Sequence, residues 1–81
     1  MSEVIVWKRI YTVDEWCKEH PNDEYVCVKE YNNITKIQED KYKDGTTLRI
    51  YSYKDGCYEM ELLDKDGRPI DGVMECPEDD N

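Results

Sequence analysis

Apolar residues fall along the chain in short clusters separated by turn-forming residues, with one helical signal near the start. Val4 to Ile10 is rich in β-branched and aromatic side chains and predicts a strand. Thr12-Val13-Asp14-Glu15 has the form of a capping box, in which the Thr12 hydroxyl accepts from the Glu15 amide and the Glu15 carboxylate from the Thr12 amide. Tyr11 before the cap and Trp16 within the first turns are spaced as a hydrophobic staple. Asp14 and Glu15 suit the positive end of a helix dipole. Pro21 disfavours helical angles in the residue before it, so the helix runs from Val13 to about His20. Val13, Trp16, Cys17 and His20 then share a face. Glu24 to Tyr31 reads as a second strand, with Val26 and Val28 on one side and Tyr25, Cys27 and Tyr31 on the other. Ile34 to Tyr42 fits a weak edge strand, because its lysines and acids discourage further pairing.

Beyond Tyr42 the pattern becomes regular. Lys-Asp-Gly occurs at 43–45, 54–56 and 65–67, always eleven residues apart. Asp-Gly favours tight hairpin turns, since glycine accepts positive φ without a Cβ clash. The spacing predicts a β-meander with strands near 46–53, 57–64 and 68–76. A loop at 54–56 pairs Leu48 with Leu62, Ile50 with Met60 and Ser52 with Tyr58, and this face is expected to be the core. The other face pairs Arg49 with Glu61 and Tyr51 with Glu59. Segregated apolar residues and an opposite-charge pair both favour this register. The same treatment of the third turn sets Leu62 against Ile70 and Tyr58 against Met74. The expected fold is α+β: a small twisted antiparallel β-sheet, one short N-terminal α-helix packed on one face, and a partly closed barrel as the alternative. One domain is expected over residues 1–76, with 77–81 as a disordered acidic tail.

Composition adds charge and compartment. The chain has 81 residues, of which 38 % are apolar and 38 % charged. That apolar share suffices for one modest core. Twenty acids against eleven bases give a formal charge of −9. Such a surface repels nucleic acid and anionic membrane and attracts basic partners. Met1-Ser2-Glu3 lacks the basic start of a secretion leader, so a cytoplasmic protein with Cys17, Cys27, Cys57 and Cys76 as thiols is expected.

Few motifs carry chemistry. Asp64 to Glu75 places acids at the first, third and twelfth positions of a calcium loop, but Pro69 stands where glycine is required and Arg68 at the fifth position. Cys17-x-x-His20 with Cys27 offers three zinc-type ligands without a second close doublet. Cys17 and His20 could form a nucleophile–base pair, yet nothing in the sequence orients that histidine. No phosphate loop or dinucleotide fingerprint is present. The expectation is a non-catalytic protein without metal or cofactor.

The face opposite the expected core carries Arg49, Tyr51, Tyr53, Glu59 and Glu61, and Asp71 and Glu75 join it on the last strand. Tyrosine and arginine anchors among carboxylates are residues that interfaces favour. These seven form the candidate partner-binding site. A small acidic chain without catalytic motifs resembles, in composition, the inhibitors carried by phages and mobile elements, the anti-CRISPR class among them. That resemblance implies a nucleic-acid mimic that occupies a basic surface on a nucleic-acid-binding protein. The alternative is an accessory module that self-associates or docks into a larger assembly, as monomer or homodimer.

Overall fold

A computed structural model describes residues 4–27 and 33–77 of the chain. Its elements are β1 (Ile5–Thr12), α1 (Val13–Glu19), α2 (Glu24–Cys27), β2 (Ile34–Tyr42), β3 (Thr47–Tyr53), β4 (Tyr58–Leu63) and β5 (Pro69–Glu75). The five strands form one antiparallel sheet in the order β1-β2-β3-β4-β5. Among the described residues β1 and β5 do not pair, so the sheet is open and the barrel alternative is set aside.

The capping box is present at the start of α1, with Glu15 N donating to Thr12 Oγ1 and Thr12 N to Glu15 Oε1. The Tyr11 and Trp16 rings meet edge to face at 5.0 Å. This contact decides which side of the sheet is covered. Tyr11 pairs with Ile37, and Ile37 with Tyr51, so the three form one row on one face. The chain leaves β1 stapled to that face, and Trp16, only 1 % exposed, lands on the row. Val26 of α2 completes the cluster.

The expected core face is thereby corrected. Leu48, Ile50, Met60 and Leu62 lie on the opposite, helix-free face and are half-buried, and Tyr58 there is exposed. Within β3 and β4 alone both faces offer apolar contacts, and only the Tyr11–Ile37–Tyr51 row breaks the tie. The pairing of β3 with β4 is the one the side-chain pattern favours: Leu48–Leu62, Arg49–Glu61, Ile50–Met60, Tyr51–Glu59 and Ser52–Tyr58. Between these strands Gly56 takes φ 95°, a conformation that costs residues with a Cβ more, and its N–H bonds Tyr53 O at 3.1 Å.

Three further expectations change. Glu24 to Cys27 is helical rather than extended, because the Asp23 carboxylate accepts from Val26 N and starts a turn; residues 28–32 of the expected strand lie outside the described residues. β2 is an interior strand, not an edge. Its polar side chains are compatible with burial because they find partners: Glu39 bonds Arg49 and Asp40 bonds Gln38. The pairing of β5 is shifted by a bulge, with Leu63 opposite Pro69 but Leu62 opposite Asp71. Pro69 has no N–H for the ladder, and Ile70 is the extra residue. Tyr58 consequently faces Glu75 instead of Met74.

The cysteines, expected as thiols, are paired. Cys17–Cys27 ties α1 to α2 with Cα atoms 5.9 Å apart, and Cys57–Cys76 ties the start of β4 to the end of β5 at 4.0 Å. The bulged register brings Cys57 opposite Cys76; the unshifted one would have set it against Glu75. Residues 78–81 of the expected tail lie outside the described residues. Among the described residues no helix is long and apolar enough to cross a membrane.

Trp16 Nε1 donates to Asp23 Oδ2 at 2.8 Å, and Asp23 also begins α2. Asp23→Ala leaves the indole N–H unpaired and removes the α2 cap, a loss of about 2 kcal/mol. Urea denaturation followed by far-ultraviolet circular dichroism is expected to show the lower midpoint, whereas an unchanged midpoint removes Asp23 from the account.

Candidate protein-binding cleft

Alternation along β3 and β4 brings Arg49, Tyr51, Tyr53, Glu59 and Glu61 to the face that carries the helices. Asp71 and Glu75 are placed elsewhere. The bulge at Ile70 turns both to the helix-free face, opposite Leu62 and Tyr58, because a one-residue slip reverses every side chain that follows. The candidate site therefore divides, with five residues on one side of the sheet and two on the other.

The five differ in exposure. Tyr51 is 5 % exposed and belongs to the core. Arg49 is half-buried: Nε bonds Glu39 Oε2 at 2.9 Å and the guanidinium lies 5.0 Å above the Trp16 ring. Burial opposes the Arg49 charge, but the Tyr51 hydroxyl and the Glu39 carboxylate more than offset it and raise its pKa. Removing either member of the Arg49–Glu39 pair would strand a charge in a part-dry site. Arg49 thus joins β2, β3 and α1 from beneath.

Tyr53, Glu59 and Glu61 are half-buried and line the accessible part of the face. Over them stands Tyr25, projected from α2, with its ring edge to face on Tyr51 at 5.6 Å. The Tyr25 and Tyr53 hydroxyls are 2.6 Å apart. Both converge on Glu59 Oε1, Tyr53 donating at 2.8 Å and Tyr25 at 3.1 Å. Tyr25, Tyr51, Glu59 and Glu61 enclose a cleft of about 310 Å³. Rings on two sides and two carboxylates on the third suit a cation, which gains from ring quadrupole and charge together. Tyr25 was not among the sequence candidates, because a strand reading of EYVC hid it. The signal for it is Asp23 three residues before Val26, the spacing of an N-cap.

The phenols are held protonated. Burial raises the Tyr25 and Tyr53 pKa values, and neighbouring Glu59 adds to both. Burial also raises Tyr51, against the lowering effect of Arg49. The phenols of the cleft therefore stay neutral across the physiological range, with the Tyr25 and Tyr53 protons donated to Glu59.

Other acids gather on this side. Asp14, Glu15 and Glu19 lie on α1, Asp23 and Glu24 at the start of α2, and Glu59 and Glu61 on β4. The Cys17 sulfur is bonded to Cys27, so no thiol stands beside His20, whose ring stacks on Trp16 at 3.9 Å. No group of three metal-type ligands converges among the described residues. Comparison with protein-family models, with curated proteins and with solved structures finds no match in any of the three.

The raised phenols give a pH dependence of definite sign. Unfolded tyrosines lose their protons near pH 10, while the folded ones hold them longer. Their contribution is complete below about pH 10 and is lost as pH rises through the folded values. Urea midpoints are expected to fall progressively as pH rises above about 10, with a shallower fall in Tyr53→Phe. Parallel curves for the two proteins count against the Tyr53–Glu59 contact.

Proposed function

We propose that the chain is a non-catalytic acidic protein-binding domain that occupies a basic surface of a nucleic-acid-binding protein, as inhibitors of the phage and mobile-element, anti-CRISPR-like type do. The observation that carries this reading is the Tyr25–Tyr51–Glu59–Glu61 cleft, whose rings and carboxylates suit a lysine or arginine side chain of the partner. Acids on α1, at the start of α2 and on β4 surround it on one side of the sheet, and such one-sided charge supports the nucleic-acid-mimic form. Tyr53 and Glu59 set the cleft wall, Glu61 supplies charge beside Arg49, and Tyr51 and Arg49 hold the floor. Asp71 and Glu75 contribute to charge on the opposite face and are not part of this contact.

The reading is tested by pull-down from cell lysate with the tagged chain at low and high salt. A basic nucleic-acid-binding protein is expected on the wild type at low salt, released at high salt and displaced by added DNA or RNA. Glu59→Gln combined with Glu61→Gln is expected to reduce its recovery about tenfold while circular dichroism stays unchanged. Recovery indifferent to both salt and substitution would falsify the proposal.

The proposal places the encounter in the cytoplasm, where such partners reside. Disulfides are kept reduced there and persist in oxidising compartments, so the two pairs pull the other way. Trapping thiols in intact producing cells with a membrane-permeant alkylating reagent separates the cases. Modified Cys17, Cys27, Cys57 and Cys76 are expected for a cytoplasmic chain. Full protection of all four moves the chain to an oxidising compartment and away from an intracellular partner.

A further inference from the structure

The sheet has a second face, and none of the described elements covers it. Register places Ile10, Gln38, Ile50, Met60 and Val73 in one row across the five strands. The next row is Lys8, Asp40, Leu48, Leu62 and Asp71, and the one on the other side is Thr12, Lys36, Ser52, Tyr58 and Glu75. Its middle is apolar. Ile10 is 57 % and Val73 46 % exposed, and a shallow cavity of about 200 Å³ lies over Leu48, Met60, Leu62 and Val73. An antiparallel sheet with one solvated face ordinarily alternates polar residues outward, and here Ile10, Leu48, Ile50, Met60, Leu62 and Val73 depart from that pattern.

Charge identifies what can cover it. The three rows hold Lys8 and Lys36 against Asp40, Asp71 and Glu75, a formal −1, whereas the chain carries −9. Two copies therefore meet with least repulsion on this face. The positions of the charges also select an orientation. Lys8 and Asp71 stand at opposite ends of one row, on the two edge strands. A two-fold axis lying between the sheets and parallel to β3 sets β1 of one copy over β5 of the other. Lys8 then meets the second copy's Asp71, and Asp71 its Lys8. Ile10 meets Val73, and Ile50 and Leu48 meet themselves near the axis. Lys36 comes over Tyr58, whose hydroxyl donates to Glu75 at 3.0 Å. Both cations of the face thus approach opposite charge. A two-fold axis perpendicular to the strands would pair Asp40 with Lys36 but would lay Asp71 over Glu75, acid on acid, and Lys8 over Thr12.

We propose that the helix-free face is the interface of a face-to-face homodimer, with β1 of each copy over β5 of the other. Sheets pack in this manner about 10 Å apart, their strands within about 30° of parallel. Five strands about 4.8 Å apart and about 20 Å long give a footprint of roughly 500 Å². The pair buries about 1,000 Å², the lower bound for a specific interface, so a micromolar, concentration-dependent dimer is expected. The helix side, with its tyrosine and glutamate cleft, stays outward in both copies.

The test is sedimentation velocity on the full chain over a concentration series. Wild type is expected to pass from monomer to dimer as concentration rises. Lys8→Asp and Asp71→Lys each set like charges opposite each other twice, and each is expected to weaken association about tenfold. The double variant Lys8→Asp/Asp71→Lys restores opposite charges and is expected to regain most of the wild-type association. Ile10→Lys, on an exposed edge strand, is expected to abolish it with circular dichroism unchanged. A wild type that is monomeric at every concentration, a dimer indifferent to these substitutions, or a double variant no better than the singles overturns the proposal. Glu59→Gln/Glu61→Gln leaves this dimer intact, so the result is separable from that of the cleft.

Discussion

Burial of one indole organises this domain. Trp16 is nearly inaccessible, packed on Tyr11 and stacked against His20, with the Arg49 guanidinium over its face. Its N–H must find an acceptor when the ring leaves water, and Asp23 supplies one. That bond fixes the turn after α1 and places the residue that starts α2. α2 in turn carries Tyr25 across the sheet to Tyr51, Tyr53 and Glu59. The cleft is thus a distant consequence of how Trp16 is satisfied. Cys17–Cys27 ties the same two helices covalently. A helix of seven residues has little stability of its own, so this packing and the capping box sustain it.

A second constraint comes from Pro69. Lacking a ladder donor, it sits beside a bulge that shifts β5 by one residue. Everything beyond Ile70 changes sides. Asp71 and Glu75 leave the acidic face, Val73 joins the apolar stripe, and Cys57 comes opposite Cys76. This single inserted residue moves two acids from the helix side to the other and takes the formal charge of that second face from +1 to −1.

The two sides are built differently. On the helix side, polar groups are organised: phenols donate to a carboxylate, and Arg49 bonds Glu39 beneath. The Arg49–Glu39 pair and Glu59 are satisfied in this way, as a low-dielectric site demands. On the other side six aliphatic side chains run across the sheet among polar neighbours, with Lys8, Asp71 and Glu75 on the edge strands. A monomer that kept this second face wet would leave its apolar stripe in water; a sheet laid upon it would not.

Local chemistry was legible along the chain. Thr12 and Glu15 define the start of α1, Tyr11 and Trp16 are spaced to meet, and alternation in β3 and β4 suffices for their register, because these signals act over a few residues. Five of the seven candidate binding residues could be assigned to one face on that basis. What covers each face could not be read from β3 and β4, since both sides of that hairpin carry apolar residues. The Tyr11–Ile37–Tyr51 row decided it, and that row exists only once three strands are aligned. Interior placement of β2, the helical turn at Glu24, the bulge at Ile70 and the pairing of the cysteines likewise belong to tertiary structure. Each depends on a partner distant in sequence, or on a competition between local preferences that only packing resolves: Glu39 needed Arg49, Asp23 needed Trp16, and Cys57 needed a register one residue removed from the simplest.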